Sequence, residues 1–76
     1  MEPKTDSTGN KYLEIPLGWD DPEAKLRLTY VSSLRTVRLN KIDSSNHVFP
    51  GPEFELQYVP ELIEALIKTY NENKAT

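Results

Sequence analysis

The side chains with the greatest chemical reach are the cations between positions 25 and 41. Lys25, Arg27, Arg35, Arg38 and Lys41 fall in a segment without a single acid, while all twelve Asp and Glu residues lie outside it. A guanidinium bonds a phosphate through two parallel N–H groups, and an ammonium meets it as a point charge. Cations interleaved with small polar residues such as Thr29, Thr36 and Asn40 are what tracking a phosphodiester backbone requires. The same cations can equally form a solvated strand face that deters edge pairing. They can also pair across strands with Glu14, Glu53 and Glu55. The residues alone leave these alternatives open.

Other constellations carry less. His47 sits near Ser44 and Ser45, but no motif supplies a nucleophile elbow, an orienting acid or an oxyanion hole. One histidine and no cysteine cannot build an imidazole or thiolate metal site. Asp20, Asp21 and Glu23 lack the alternating oxygens and glycine of a calcium loop. The three glycines, Gly9, Gly18 and Gly51, are too far apart for a phosphate-binding loop. The reading is a non-enzymatic protein without metal or cofactor. Trp19 and the aromatic loop around Phe49 suit anchors for a protein partner, since large aromatics dominate binding hot spots, although a lone Trp in a small domain more often closes one end of the core.

Three segments alternate with the period of a strand. Residues 11–17 set Leu13, Ile15 and Leu17 against Tyr12, Glu14 and Pro16. Residues 24–31 set Leu26, Leu28 and Tyr30 against Lys25, Arg27 and Thr29. Residues 34–42 set Val37 and Leu39 against Thr36, Arg38 and Asn40, with Leu34 and Ile42 out of phase and suggesting a bulge or a shortened strand. A fourth strand is expected over 53–59, where Phe54, Leu56 and Tyr58 alternate with Glu53, Glu55 and Gln57. Pro50-Gly51-Pro52 breaks the chain before it. Pro60 then opens a helix to Asn73, with Leu62, Ile63, Leu66, Ile67 and Tyr70 in one apolar stripe.

The expected architecture is α+β: a four-stranded antiparallel sheet followed by one C-terminal amphipathic helix, ββββα, over residues 11–73. Residues 1–10, polar and without an apolar face, read as a flexible arm, and 74–76 as a frayed end. The helix would cover one sheet face, giving a core of Leu13, Ile15, Leu26, Leu28, Val37, Leu39, Phe54 and Leu56. Lys25, Arg27 and Arg38 would project from the other face. A chain of 76 residues, 37% of them hydrophobic, is marginal for a single core. Without cysteines it cannot add disulfides, which leaves oligomerisation as a source of buried area. Ile67 and Tyr70, beyond the reach of the sheet, are candidates for a homodimer contact. No segment is apolar for long enough to span a membrane, and the first ten residues lack a secretory pattern. A soluble protein of the cytoplasm or nucleoid is expected.

Residues 37–66, and above all the step Tyr58-Val59-Pro60-Glu61-Leu62 from last strand into helix, resemble the C-terminal part of the positive cofactor 4 family of single-stranded-DNA-binding transcriptional coactivators, whose members also occur in bacteria and phages. The resemblance implies a curved four-stranded sheet followed by a helix, dimerisation through the helices, and single-stranded nucleic acid bound by basic and aromatic residues of the sheet. The matching positions are Lys25, Arg27, Arg35, Arg38 and Lys41, with Tyr12, Trp19 or Tyr30 for base stacking. The sequence departs from that pattern in Glu53 and Glu55 on the last strand, in a loop 43–52 without Lys or Arg, and in a net charge of −3. A protein-binding adaptor or inhibitor, for instance of the transcription machinery, is the competing expectation.

Overall fold

In the computed structural model, which describes residues 2–18 and 20–75, two turns of the same chemistry organise the ends of the sheet. Asp6 Oδ1 accepts the backbone N–H groups of Thr8 at 3.0 Å and Asn10 at 2.9 Å. Asp43 Oδ1 likewise accepts those of Ser45 at 2.9 Å and His47 at 2.8 Å. The fourth residue of each turn is left-handed, Gly9 at φ 87° and Asn46 at φ 63°. Gly and Asn tolerate that region best, and an Asp that bonds the backbone ahead of it fixes the reversal. The first turn folds β1 (Lys4–Thr5) onto β2 (Lys11–Pro16), and the second folds β4 (Thr36–Ile42) onto β5 (Val48–Phe49). Between them β3 (Lys25–Val31) returns to β4 through a turn in which Arg35 is left-handed at φ 52°.

The sheet is antiparallel throughout, in the order β1-β2-β3-β4-β5, with β6 (Glu53–Glu55) on the same edge of β4 as β5. Pro50-Gly51-Pro52 bridges these two short strands. Leu39 N–H donates to the Pro52 carbonyl at 2.9 Å, so β4 is covered along this edge. Gly51 permits the approach: a Cβ there would lie 2.0 Å from the Leu39 carbonyl oxygen.

Six strands therefore replace the four expected. The arm expected over 1–10 contributes β1, and the loop 43–53 contributes β5. The strand expected over 53–59 ends at Glu55 and tightens into a 3-10 turn, Leu56–Tyr58, before α1 (Val59–Asn73). Ile42 lies on the polar face of an unbroken β4, opposite Lys25, and no bulge interrupts the pairing of β3 with β4; the strand starts at Thr36, shorter than expected, with Leu34 left in the turn.

The register assigns the two sheet faces. Leu13, Leu28 and Leu39 form one row, and Lys11, Tyr30, Val37 and Phe54 another. Ile15, Leu26, Lys41 and Phe49 complete this largely apolar face. Tyr12, Glu14, Lys25, Arg27, Thr29, Thr36, Arg38, Asn40 and Glu53 lie on the other.

The expected core does not form. Its eight side chains are only half-buried, whereas among the described residues the buried ones are Ala24, Thr29, Val31 and Ile42. Thr29, Val31 and Ile42 belong to the polar face, paired across strands with Arg38, Thr36 and Lys25. The apolar face stays open because α1 leaves the sheet instead of folding back over it. No residue of α1 is buried, and Ile63, Leu66, Ile67 and Tyr70 are 51%, 61%, 55% and 66% exposed. Only the start of the helix meets the sheet, where Leu56 and Val59 border a small apolar cleft with Leu13, Leu28, Tyr30 and Val37. The radius of gyration is 13.7 Å, against about 11 Å for a compact chain of this length. Among the described residues no helix is long and apolar enough to cross a membrane.

Candidate nucleic-acid interface

On the polar face, strand pairing brings acids and bases directly opposite one another. Glu14 faces Arg27 across β2 and β3, and Arg38 faces Glu53 across β4 and β6. Arg27 donates from Nε at 3.1 Å and Nη2 at 3.0 Å to the same Glu14 oxygen, Oε2. The other Glu14 oxygen lies 3.7 Å from Lys4 Nζ. The Arg27 guanidinium also sits 4.3 Å from the centroid of the Tyr12 ring, a cation–π stack that fixes its plane. Arg38 Nε donates to Glu53 Oε1 at 3.0 Å, and the Thr36 hydroxyl donates to Glu53 Oε2. The Thr36 hydrogen bond and then the Arg38 guanidinium hold the Glu53 carboxyl below the usual carboxylate range.

A groove of about 860 Å³ runs along this face, bordered by Lys4, Tyr12, Glu14, Lys25 and Arg27 and by the loop after Ile42. Asp21 ties that loop down. One of its oxygens accepts Ser44 N–H at 3.1 Å and the other Glu23 N–H at 3.0 Å. These two backbone bonds keep its carboxyl low. The groove is open, presents both signs of charge, and contains no nucleophile–base pair. Among the described residues no cluster of acids, histidines or cysteines could hold a metal ion.

The predicted cations separate into three groups. Lys25, Arg27 and Arg38 share the polar face with Tyr12. Arg35 stands in the β3–β4 turn, exposed. Lys41 is on the apolar face, correcting its place in a single cationic wall: its Nζ lies 3.6 Å from Asp20 Oδ2 and 5.5 Å from the Phe49 ring centroid. Alternation from Val37 through Leu39 dictates that side. Tyr30 is on the apolar face too, so it cannot stack a base held by Arg27. Among the described residues Lys25 and Arg35 make no ion pair.

Of the expected partner contacts, Phe49 is 39% exposed and packs edge-on against the His47 ring at 4.4 Å, while Ile67 and Tyr70 are open to solvent on α1. Trp19 lies outside the described residues. Sequence reasoning missed Lys4, assigned to the arm, as a member of the Glu14 cluster. The signal was present in Asp6-Ser7-Thr8-Gly9, whose turn chemistry returns the chain onto β2.

No protein-family model, no curated protein and no solved structure matches the chain.

Proposed function

We propose that this chain is a small non-enzymatic binding module, dimeric through its helix, whose polar sheet face binds single-stranded nucleic acid in transcription or DNA metabolism. The observation that carries the reading is the chemical division of the sheet. One face gathers Lys25, Arg27 and Arg38 beside Tyr12, and the opposite face is apolar and continues toward an unburied helix stripe. The division provides a surface for phosphates and an aromatic for stacking on one side, and leaves the other side for association. The similarity of residues 37–66 to the positive cofactor 4 family supports the same reading, with a second copy as the occupant of α1 and the cytoplasm or nucleoid as the place of action.

Fluorescence titration of a labelled single-stranded oligonucleotide at about 50 mM and about 200 mM salt tests it. The expected result is weak binding that falls steeply as salt rises. Binding absent at the lower salt, or indifferent to salt, removes the nucleic-acid function.

A second reading, a protein-binding adaptor or inhibitor, is favoured by one observation: Arg27 and Arg38 already carry carboxylates, while Phe49, Ile67 and Tyr70 are exposed. On this reading the wild-type protein retains a protein partner in a pulldown and shows no oligonucleotide binding.

A further inference from the structure

We infer that Glu14 and Glu53 are built-in competitors for phosphate, sitting where a polyanion would dock on Arg27 and Arg38 and setting the affinity of the polar face. The inference rests on the nucleic-acid reading of that face and adds how its strength is controlled.

Each carboxylate occupies donors that a phosphate could otherwise take. Glu14 takes both Nε and Nη2 of Arg27, and Glu53 takes Nε of Arg38. Both pairs are directly cross-strand, so backbone pairing supplies the acid at fixed distance without ordering a loop. Arg27 lies opposite Asn40, two residues from Arg38, which makes the two arginines diagonal neighbours on one face. Such neighbours are about 7–8 Å apart, close enough to grip a single strand together. Thr36 donates to Glu53 and Lys4 approaches Glu14, so each carboxylate has a second positive or donor contact that holds it over its arginine. The Glu14 and Arg27 side chains are 13% and 27% exposed, and those of Glu53 and Arg38 are 29% and 43% exposed. The outer pair is therefore the easier to displace. Lys25, in no ion pair among the described residues, is placed to make first contact.

The test compares oligonucleotide binding by the full chain and by a Glu14→Gln/Glu53→Gln variant, as a function of salt. A Glu61→Gln/Glu72→Gln variant on α1 removes the same charge away from the face. Freeing two arginines for phosphate should steepen the slope of log affinity against log salt by about 1.4, at roughly 0.7 per phosphate contact on a single strand. At low salt the sheet-face variant should bind at least about tenfold tighter than wild type, and the helix control should stay within about threefold. Glu53→Gln alone, at the more exposed pair, should show part of the gain and keeps the test available if Glu14→Gln disturbs folding.

A sheet-face variant no tighter than the helix control overturns the inference. If wild type nevertheless binds with salt dependence, the nucleic-acid reading stands without it. If wild type is silent while the sheet-face variant binds with the steeper slope, the competition is upheld and the nucleic-acid function of the unmodified chain fails. Silence of both overturns both.

Discussion

At the scale of single residues, the positions that matter most are those where the backbone has no room or no other partner. Gly51 lies against the Leu39 carbonyl, and the 2.0 Å that a Cβ would leave cannot be relieved by rotating a side chain. Gly51→Ala should force β5 and β6 away from β4 and destabilise the fold by about 1–3 kcal/mol. Urea unfolding measures this, and an unchanged midpoint would show that the Pro50–Pro52 bridge is not held against β4. Asp43→Ala removes the acceptor for two backbone N–H groups and should cost about 1 kcal/mol by the same assay.

Three carboxylates predict the acid limb of stability. Hydrogen bonds from the Thr8 hydroxyl and the Asn10 and Thr8 backbone lower the pKa of Asp6, as the Ser44 and Glu23 amides do for Asp21 and Thr36 and Arg38 do for Glu53. With the folded pKa below the unfolded one, the unfolded chain takes up protons first as the pH falls. The stabilisation from these groups is complete above the ordinary carboxylate range, about pH 4, and is lost as the pH drops through their folded values. Urea midpoints should be insensitive to these groups between neutrality and about pH 5 and fall below about pH 4. Asp21→Asn should flatten that fall. An equally steep fall in the variant would assign the acid limb to other groups.

At the scale of elements, the alternation of apolar and polar residues made the three long strands and the helix legible. The helix prediction differs from α1 by one residue at its start. Period alone could not reveal β1 and β5, because two residues carry no period; only the Asp-initiated turns beside them announce them. The face of Lys25, Arg27 and Arg38 followed from alternation, whereas the acids opposite Arg27 and Arg38 needed the strand register. What the sequence could not convey is where the helix goes. An apolar stripe states that a face wants burial, not against what, and the 3-10 turn Leu56–Tyr58 sends α1 off the sheet. The side chains predicted to meet it are half-buried in consequence. The same stripe predicts that Leu66→Glu/Ile67→Glu, at positions exposed in the monomer, abolishes self-association and leaves the monomer's circular dichroism unchanged. Light scattering should report twice 8.7 kDa for wild type and a monomer for the variant. A monomeric wild type would remove the dimer.

For the whole molecule, the sheet is a partition between two chemistries. Its charged side holds the buried Thr29, Val31 and Ile42, and its apolar side stays half-buried while α1 leaves Ile63, Leu66, Ile67 and Tyr70 exposed. On the proposed function, the charged side meets nucleic acid and the apolar side meets protein. Backbone amide NMR spectra recorded while a single-stranded oligonucleotide is added at low salt test this most directly. Perturbations should concentrate at Lys25, Arg27, Thr29, Thr36 and Arg38, leaving the exposed half of α1 unmoved. Spectra that do not change, or changes confined to α1 and the Leu13–Leu28–Leu39 row, would contradict it.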